Sequence, residues 1–443
     1  MFDTIVAISS GAKINQPISV IRLCGPEAID ILKKIYKGAI GKDHSITFGR
    51  IYEKDKLIDE VLVMWFTGTN NYTGEITLEI NAHGGILVTN KILELLLTAG
   101  ARMAEPGEFT RRAFLNGKLD LVKAEAIHDL IMAQTTYQRE MSIKKFDNKT
   151  SNYLNQLLDK IMYLIGACEV NIDYPEYEDV EQLTNDVLLP KVQNLIQEIE
   201  TLIKLSRESK MLYEGIKVAI VGKPNAGKSS ILNSLLNEER AIVTSVAGTT
   251  RDIIEANYSL GGILFKLIDT AGIRKTKSLI ENIGVRKSIE QIKKSDLVLH
   301  IVDVNKKEDE FDKQIENEAL LNNKKYLKIF NKIDLFTGKK EKNSIYISAK
   351  NNNLNDLEQA ITNLYKNILN NDQELIYNAR QLSLVEQAFN CLKEAEKSLQ
   401  SGLTVDVIIV DLQEAWEHLS DILGKSNKED LLDSMFKNFC LGK

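Results

Sequence analysis

The fold of the central part of this chain is decided by the stretch Gly222-Lys223-Pro224-Asn225-Ala226-Gly227-Lys228-Ser229-Ser230. An apolar run over residues 216–221 precedes it and predicts a buried strand, and an amphipathic run over 230–236 predicts a helix. A glycine-rich turn between strand and helix points backbone N–H groups at an anion, and the helix N-terminus adds its positive dipole end. The stretch therefore predicts a phosphate-binding loop, in which Lys228 reaches the β- and γ-phosphates and the Ser229 hydroxyl binds Mg²⁺.

Three further motifs follow in the order that a nucleotide site requires. Asp269-Thr270-Ala271-Gly272 ends a predicted strand, where the Asp can hold Mg²⁺ through water and the Gly N–H can contact a γ-phosphate. Asn331-Lys332-Ile333-Asp334 ends another strand, and its last carboxylate can accept two hydrogen bonds from guanine that adenine cannot donate. Ser348-Ala349-Lys350 completes the base pocket through backbone N–H groups. Each motif alone could be an ordinary turn, but together they predict a site for GTP rather than ATP.

A switch loop is predicted between the first two motifs. The segment Thr244-Ser245-Val246-Ala247-Gly248-Thr249-Thr250 is rich in small and polar residues, and Thr250 is the natural second ligand of Mg²⁺. Ile273 stands where many GTPases place the glutamine that orients the attacking water. Either hydrolysis is very slow or the water is oriented from elsewhere, with Glu281 and a partner protein as candidates. The pattern alone favours a solvated surface carboxylate for Glu281.

Composition limits the class of protein. The 443 residues predict roughly two to four domains, and an apolar fraction of 44% is sufficient for packed cores. No run approaches the roughly 18 apolar residues of a membrane span, and the chain begins with a strand-like segment rather than a signal peptide. Four scattered cysteines show neither a disulfide nor a zinc spacing, so a cytoplasmic protein is expected. Because the net charge is −6, an RNA partner would need local basic patches.

Apolar periodicity divides the chain into four segments. Residues 1–118 mix short strands with helices and predict an α+β domain, whereas residues 119–214 and 373–443 show a helical period. The nucleotide motifs occupy residues 215–372 between them. The economical interpretation is one helical domain interrupted by an inserted Ras-like α/β GTPase domain with a P-loop, whose two ends lie close together. The expected fold class is therefore multidomain, α+β and α/β.

This order of segments, the loop over residues 222–230 and two motifs, one in the N-terminal segment and one at the C-terminus, resemble the MnmE (TrmE) family of bacterial tRNA modification GTPases. The motifs are PGEFTRRAFLNGKLDL over residues 106–121 and FCLGK over residues 439–443, and the resemblance covers essentially the whole chain. The GTPase motifs by themselves leave open a regulatory GTPase of the ribosome-assembly type, without modification chemistry. The two terminal motifs favour the tRNA modification family.

The resemblance implies partners and cofactors. It implies a homodimer that acts with an FAD-dependent partner, MnmG (GidA), in a heterotetramer or larger assembly. Together they would add an aminomethyl-type group, such as carboxymethylaminomethyl, at C5 of the wobble uridine (U34) of certain tRNAs. A tetrahydrofolate derivative of the 5-formyl or 5,10-methylene type would bind the N-terminal domain, which also dimerises. The GTPase domains would meet across the dimer in the presence of K⁺.

The resemblance also implies roles for residues. It implies that Glu281 orients the water, and it associates Cys440 with the modification reaction. The implied K⁺ ligands are Asn225, Thr244, Val246 and Thr249. The implied folate contacts are Arg22, Glu79, Lys118 and Lys443. Apart from the family, Arg22 and Glu79 predict a surface salt bridge, and Cys440 predicts a small buried hydrophobe. The loop over residues 9–17 lacks the glycine-rich run expected in this family.

Overall fold

Two sheets organise the part of the chain that the computed structural model describes. The described residues are 3–11, 14–173, 185–237, 241–242, 256–268, 281–338, 344–351, 353–369, 376–425, 435–436, 439 and 442. The chain divides into two units, one of Met1–Ile131 with Glu417–Lys443 and the other of Met132–Trp416. Each unit contains one of the sheets.

The first unit is built on a mainly antiparallel sheet with the strand order β3-β4-β5-β6-β2-β1-β7. Among the described strands of this sheet, only β1 and β7 pair in parallel. The strands are β1 (Ile5–Ile8), β2 (Ile18–Cys24), β3 (Tyr36–Gly38), β4 (Ser45–Glu53), β5 (Lys56–Phe66), β6 (Thr77–His83) and β7 (Arg102–Met103). The helices are α1 (Ala28–Lys33), α2 (Ile86–Thr98), α3 (Glu108–Leu115) and α4 (Leu121–Met132).

Alternation along the strands of this unit separates a core face from a polar face. In β6, Leu78 and Ile80 are fully buried and belong to the core that also includes Ile92 and Leu96 of α2. Glu79 points to the opposite face because successive side chains of a strand alternate. The first sheet therefore presents one face to the hydrophobic core and leaves polar groups on the other.

The second unit contains a mainly parallel sheet with the strand order β14-β13-β12-β8-β11-β10-β9. Its strands are β8 (Ile216–Val221), β9 (Ala241–Ile242), β10 (Ala256–Leu260), β11 (Ile263–Leu267), β12 (Leu297–Asp303), β13 (Lys325–Asn331) and β14 (Ile345–Tyr346). Strands β9 and β10 are the antiparallel edge. All seven residues of β12 are buried, as expected for a parallel strand with both faces covered.

Helices make up the rest of the second unit. They are α5 (Thr136–Lys144), α6 (Lys149–Asp173), α7 (Asn185–Glu214), α8 (Lys228–Asn237), α9 (Glu281–Lys294), α10 (Glu310–Leu321), α11 (Asn355–Leu369), α12 (Ala379–Gln400) and α13 (Val405–Leu423), the last contributing residues to both units. The apolar stripes expected on α6 and α7 are buried, for example at Ile161 and Ile199. The mixed α+β and α/β fold class is thus confirmed, while the four domain boundaries stay a prediction.

The chain enters and leaves the nucleotide-motif segment at one place. The rings of Tyr213 and Tyr377 stack with centroids 4.0 Å apart, and the Ile376 N–H donates to Ser206 Oγ at 3.0 Å. Residue 372, the expected end of the insertion, lies outside the described residues. Across the described helices, none combines the length and apolarity needed to cross a membrane.

Candidate functional site

The phosphate-binding stretch lies between β8 and α8. Gly222 and Gly227 both adopt positive φ angles, of +142° and +101°. A Cβ on Gly222 would collide with the Ile301 carbonyl oxygen of β12, and a Cβ on Gly227 would collide with the Asn331 amide. Both glycines are therefore required by the close packing of the loop against neighbouring strands and not only by its curvature.

The Lys228 side chain folds back across this loop. Its Nζ donates to the carbonyl oxygens of Gly222 at 2.7 Å and Lys223 at 2.8 Å. Burial lowers the pKa of Lys228, so its ammonium needs these acceptors or an anion in their place. Ser229 is exposed at the start of α8, and Asn225 is exposed with a positive φ of 63°. The loop thus presents a cation and a hydroxyl at a helix N-terminus, as a phosphate site requires.

The guanine-specificity motifs are joined directly to the phosphate-binding loop. Asn331 is 2% exposed, and its Nδ2 donates to the Ala226 carbonyl at 2.9 Å while its Oδ1 accepts from the Ala349 N–H at 3.1 Å. The Ser348 hydroxyl donates to Asp334 Oδ1 at 2.6 Å, and Asp334 itself is exposed. One buried amide therefore holds the three sequence-distant motifs together.

Lys332 is held by an acidic partner that the sequence analysis did not identify. It has a positive φ of 68°, and its Nζ lies 2.6 Å from an Asp303 carboxylate oxygen at the end of β12. Burial opposes ionisation of Asp303, but the Lys332 ammonium and the Asn305 N–H together outweigh it, so the pKa of Asp303 is lowered. This ion pair fixes the lysine of the third motif at the carboxyl edge of the sheet, where ligands bind in α/β folds.

Several predicted nucleotide residues cannot be placed. All of Thr244–Thr250 and Asp269–Gly272 lie outside the described residues. Glu281 is the first residue of α9, and the structure describes its backbone but not its side chain. Lys350 is exposed in the short 3₁₀ helix Ala349–Asn351. The roles assigned to these residues remain predictions.

A second polar site lies on the first sheet. Arg22 and Glu79 are directly opposite in the β2–β6 register, and Arg22 donates through Nε and Nη2 to Glu79 Oε1 at 2.9 and 2.7 Å. The guanidinium lies 5.4 Å from the Phe109 ring centroid and 5.8 Å from that of Tyr72. The pair is mostly buried, with side chains 15% and 21% exposed. The residues alone suggested a salt bridge, and one is present, but it is more buried than an ordinary surface pair.

The C-terminal stretch reaches this second site. The Gly442 carbonyl accepts from Ser9 Oγ at 2.9 Å and from Arg22 Nη1 at 3.3 Å. Gly442 has a φ of +90°, and a Cβ there would lie 2.5 Å from the Ile8 carbonyl oxygen. Sequence reasoning gave no role to Gly442 or Ser9. The only sequence feature that could have indicated such a role was the glycine within the C-terminal motif over residues 439–443.

The residue before Cys440 is anchored separately. The Phe439 ring stacks on His128 at 4.8 Å and meets Phe436 edge-on at 5.0 Å. A Cβ on Gly107 would lie 2.7 Å from the Phe439 Cβ. The chain is thus fixed at Phe439 on one side of Cys440 and at Gly442 on the other.

Two of the four expected folate residues are in contact, and one of the other two lies outside the described residues. Arg22 and Glu79 are in contact. Lys118 is exposed and lies beside Gly74, where a Cβ would be 2.9 Å from the Lys118 Cε. Cys440 and Lys443 lie outside the described residues.

Comparison with known proteins identifies the family. Residues 4–118 match the model of the GTP-binding protein TrmE N-terminus, and residues 121–440 match that of the MnmE helical domain. The chain belongs to the MnmE family. It is 54% identical to the tRNA modification GTPase MnmE of Mycoplasmopsis pulmonis and 53% identical to that of Mycoplasma mobile, each over 100% of both chains.

A more distant MnmE relative shows the same full-length match. The chain is 44% identical to MnmE of Lactococcus lactis subsp. cremoris strain MG1363, over 100% of this chain and 99% of the relative. The resemblance drawn from the sequence is therefore confirmed, and with it the enzyme class: this MnmE family member is a GTPase.

Proposed function

We propose that this GTPase acts in the cytoplasm with an FAD-dependent MnmG (GidA) partner, in a heterotetramer or larger assembly, to modify the wobble uridine (U34) of certain tRNAs. The product carries an aminomethyl-type group at C5, such as carboxymethylaminomethyl. The observation that carries the proposal is the contact of Gly442 with Arg22 beside Glu79. A regulatory GTPase without modification chemistry has no need of a second, mostly buried polar site next to a cysteine-bearing terminus.

The nucleotide site provides the hydrolytic part of this function. Lys228 would exchange its two carbonyl acceptors for the β- and γ-phosphates, and Asp334 would accept from guanine. Ser229 and Thr250 would hold Mg²⁺, and Glu281 would orient the water in place of the glutamine that Ile273 replaces. The proposed K⁺ ligands are Asn225, Thr244, Val246 and Thr249. K⁺ would supply positive charge where charge develops in the transition state.

The second site would hold the tetrahydrofolate derivative. The paired guanidinium and carboxylate of Arg22 and Glu79 offer donors and acceptors to a pterin, and Tyr72 and Phe109 line the guanidinium. Lys118 and Lys443 would bind the acidic tail of the cofactor. Cys440 would lie beside it and take part in the modification reaction.

A homodimer formed by the first unit is part of the proposal. The sheet face that carries Arg22 also carries large exposed apolar side chains: Ile18, Ile46, Phe48 and Leu62. Contiguous exposed apolar surface of this kind marks an interaction site in a monomer. A second copy of the chain would cover it and would enclose the folate site.

Nucleoside mass spectrometry of tRNA tests the function. Cells that lack this protein should lose the C5 substituent of the wobble uridine, and the intact gene should restore it. Unchanged nucleosides in the deletion strain would rule out the proposal and favour the regulatory alternative. A Cys440→Ser variant that kept full GTP turnover and full modification would remove Cys440 from the chemistry.

The ion assignment has its own test. GTP turnover should be faster in K⁺ than in Na⁺ at equal ionic strength, since the proposed ligands form a site for the larger ion. Equal turnover in the two salts would contradict the assignment of Asn225 to K⁺.

A further inference from the structure

A chain of buried and partly buried polar groups runs through the second unit to the phosphate-binding loop. The Tyr326 hydroxyl lies 2.7 Å from His300 Nδ1, His300 Nε2 lies 3.1 Å from Asp312 Oδ1, and Asp312 Oδ2 lies 2.6 Å from Lys223 Nζ. His300 is fully buried in β12 and Asp312 is 2% exposed in α10. The chain thus links β13, β12, α10 and the second residue of the phosphate-binding loop.

Each oxygen of Asp312 has a donor. Burial lowers the pKa of His300, although the nearby Asp312 carboxylate acts to raise it, so the imidazole is neutral. Its Nε2 donates to Asp312, and its Nδ1 accepts from the Tyr326 hydroxyl. The other oxygen accepts from Lys223 and from the Asp309 N–H at 3.1 Å, and the Asp309 carboxylate also lies 2.9 Å from Lys223 Nζ. Asp312 is therefore held rigidly, in a capping box that begins α10.

This network has one consequence for the nucleotide site. Buried ion pairs are often no more stabilising than apolar side chains of the same volume, so their presence needs a reason other than stability. Lys223 provides one, because its carbonyl accepts from Lys228 Nζ at 2.8 Å and from the Ala226 N–H at 3.3 Å. The side chain of Lys223 is fixed by the network while its main chain shapes the loop.

We infer that Asp312 is a positioning residue for nucleotide binding, acting through Lys223 on the phosphate-binding loop. The inference rests on the GTPase activity assigned above. Asp312 does not itself meet the nucleotide; with His300 behind it, it fixes Lys223 and so preserves the loop conformation that receives the phosphates. Without the Asp312 contact, part of the free energy of nucleotide binding is used to order the loop, so binding is weaker.

The direction in which Asp312→Asn changes nucleotide binding distinguishes a positioning role from a simple effect of charge. Asp309 and Asp312 are two carboxylates beside a site for an anion, so by charge alone Asp312→Asn should tighten nucleotide binding. If Asp312 acts by positioning, the same substitution weakens binding, because Lys223 loses its charge-assisted hydrogen bond to the buried Asp312 and keeps only its ion pair with the exposed Asp309. The two mechanisms therefore predict opposite directions for one isosteric change.

The experiment measures release of a fluorescent GDP from the full-length protein by stopped-flow. Asp312→Asn and Lys223→Met should each accelerate release about tenfold and raise KM for GTP by a similar factor, with kcat changed by less than about twofold. Lys223→Arg should restore release close to the wild-type rate. A loss of folding alone would lower the active fraction without changing the release rate of the folded protein. If Asp312→Asn does not fold, Lys223→Met still tests the inference, because Lys223 is partly exposed.

Lys328→Met is the matched control. Lys328 forms ion pairs with Glu308 at 2.6 Å and with Glu316 at 3.8 Å, beside the same helix but away from the loop, and its loss should leave GDP release unchanged. Unchanged or slower release from Asp312→Asn, or equal acceleration by the control, would overturn the inference. If the wild-type protein binds no guanine nucleotide, the GTPase assignment fails as well. If the wild-type protein binds the nucleotide normally and the variants release GDP at the wild-type rate, only the positioning role is refuted.

Discussion

Asn331 offers the sharpest prediction for the nucleotide site. Its side-chain amide is buried and makes two hydrogen bonds, one to the Ala226 carbonyl of the phosphate-binding loop and one from the Ala349 N–H of the base-binding loop. The Asn331→Ala substitution removes both bonds and leaves a donor and an acceptor without these partners. It also leaves a void next to Gly227, where a Cβ would collide with this amide.

The magnitude follows from those two bonds. A buried polar group left without a partner costs about 1–3 kcal/mol, and this substitution leaves two such groups. Water that enters the void can hydrogen-bond to them and recover part of the cost. We therefore expect a loss of about 2–4 kcal/mol in the free energy of unfolding of the second unit. Since both loops must then be ordered by the nucleotide, GDP affinity should fall by up to the same amount, which is about 30- to 1000-fold.

Thermal or denaturant unfolding and GDP titration calorimetry measure the two quantities. Asn322→Ala is the matched control, because its amide also donates to a backbone carbonyl, that of Glu318 at 2.8 Å, at the far end of α10. It should leave GDP affinity unchanged. GDP affinity within about threefold of wild type in Asn331→Ala, at unchanged stability, would refute the bridging role.

Three more results are expected. Asp334→Asn should weaken GTP binding and favour xanthosine triphosphate, as competition titration with both nucleotides can show, and equal preference would contradict the guanine assignment. The hydrogen bond that His83 Nδ1 donates to the Asp59 carboxylate raises the pKa of His83. Its stabilising effect is therefore complete below the ordinary histidine pKa and disappears as pH rises through the raised value. An NMR titration of His83 should show the raised pKa, and Asp59→Asn should abolish the shift. Gly442→Ala, whose Cβ would meet the Ile8 carbonyl, should release the C-terminus to protease and abolish wobble modification while sparing GTP turnover; full modification would contradict the anchoring role.

The nucleotide motifs were accessible to sequence reasoning because their chemistry is local. A phosphate-binding loop needs glycines, a lysine and a hydroxyl within a few residues, at a strand–helix junction that hydrophobic periodicity reveals. The P-loop strand was predicted over residues 216–221 and is observed as β8 over the same range. The helical faces of α6 and α7 were found in the same way, since a period of apolar residues marks the buried side wherever the helix packs.

The contacts between motifs could not be found in this way. Asn331 meets Ala226 across 105 residues, Arg22 meets Gly442 across 420, and Lys223 meets Asp312 across 89. None of these pairs has a spacing signal, because each depends on which strand lies next to which and on where the C-terminus returns. Lys223 was quoted within the loop without a role, since its partner becomes visible only when α10 is placed beside β12.

By itself, then, the sequence determined that this chain carries a guanine-nucleotide site and a family-specific terminus, since those properties depend on short stretches of residues. Tertiary structure alone decided that one buried amide joins the nucleotide motifs, and that the C-terminal glycine contacts Arg22 on the first sheet. It alone also placed the Asp312 carboxylate against Lys223 of the phosphate-binding loop. The physical reason is that hydrogen bonds and ion pairs act over about 3 Å in space, whatever the separation along the chain.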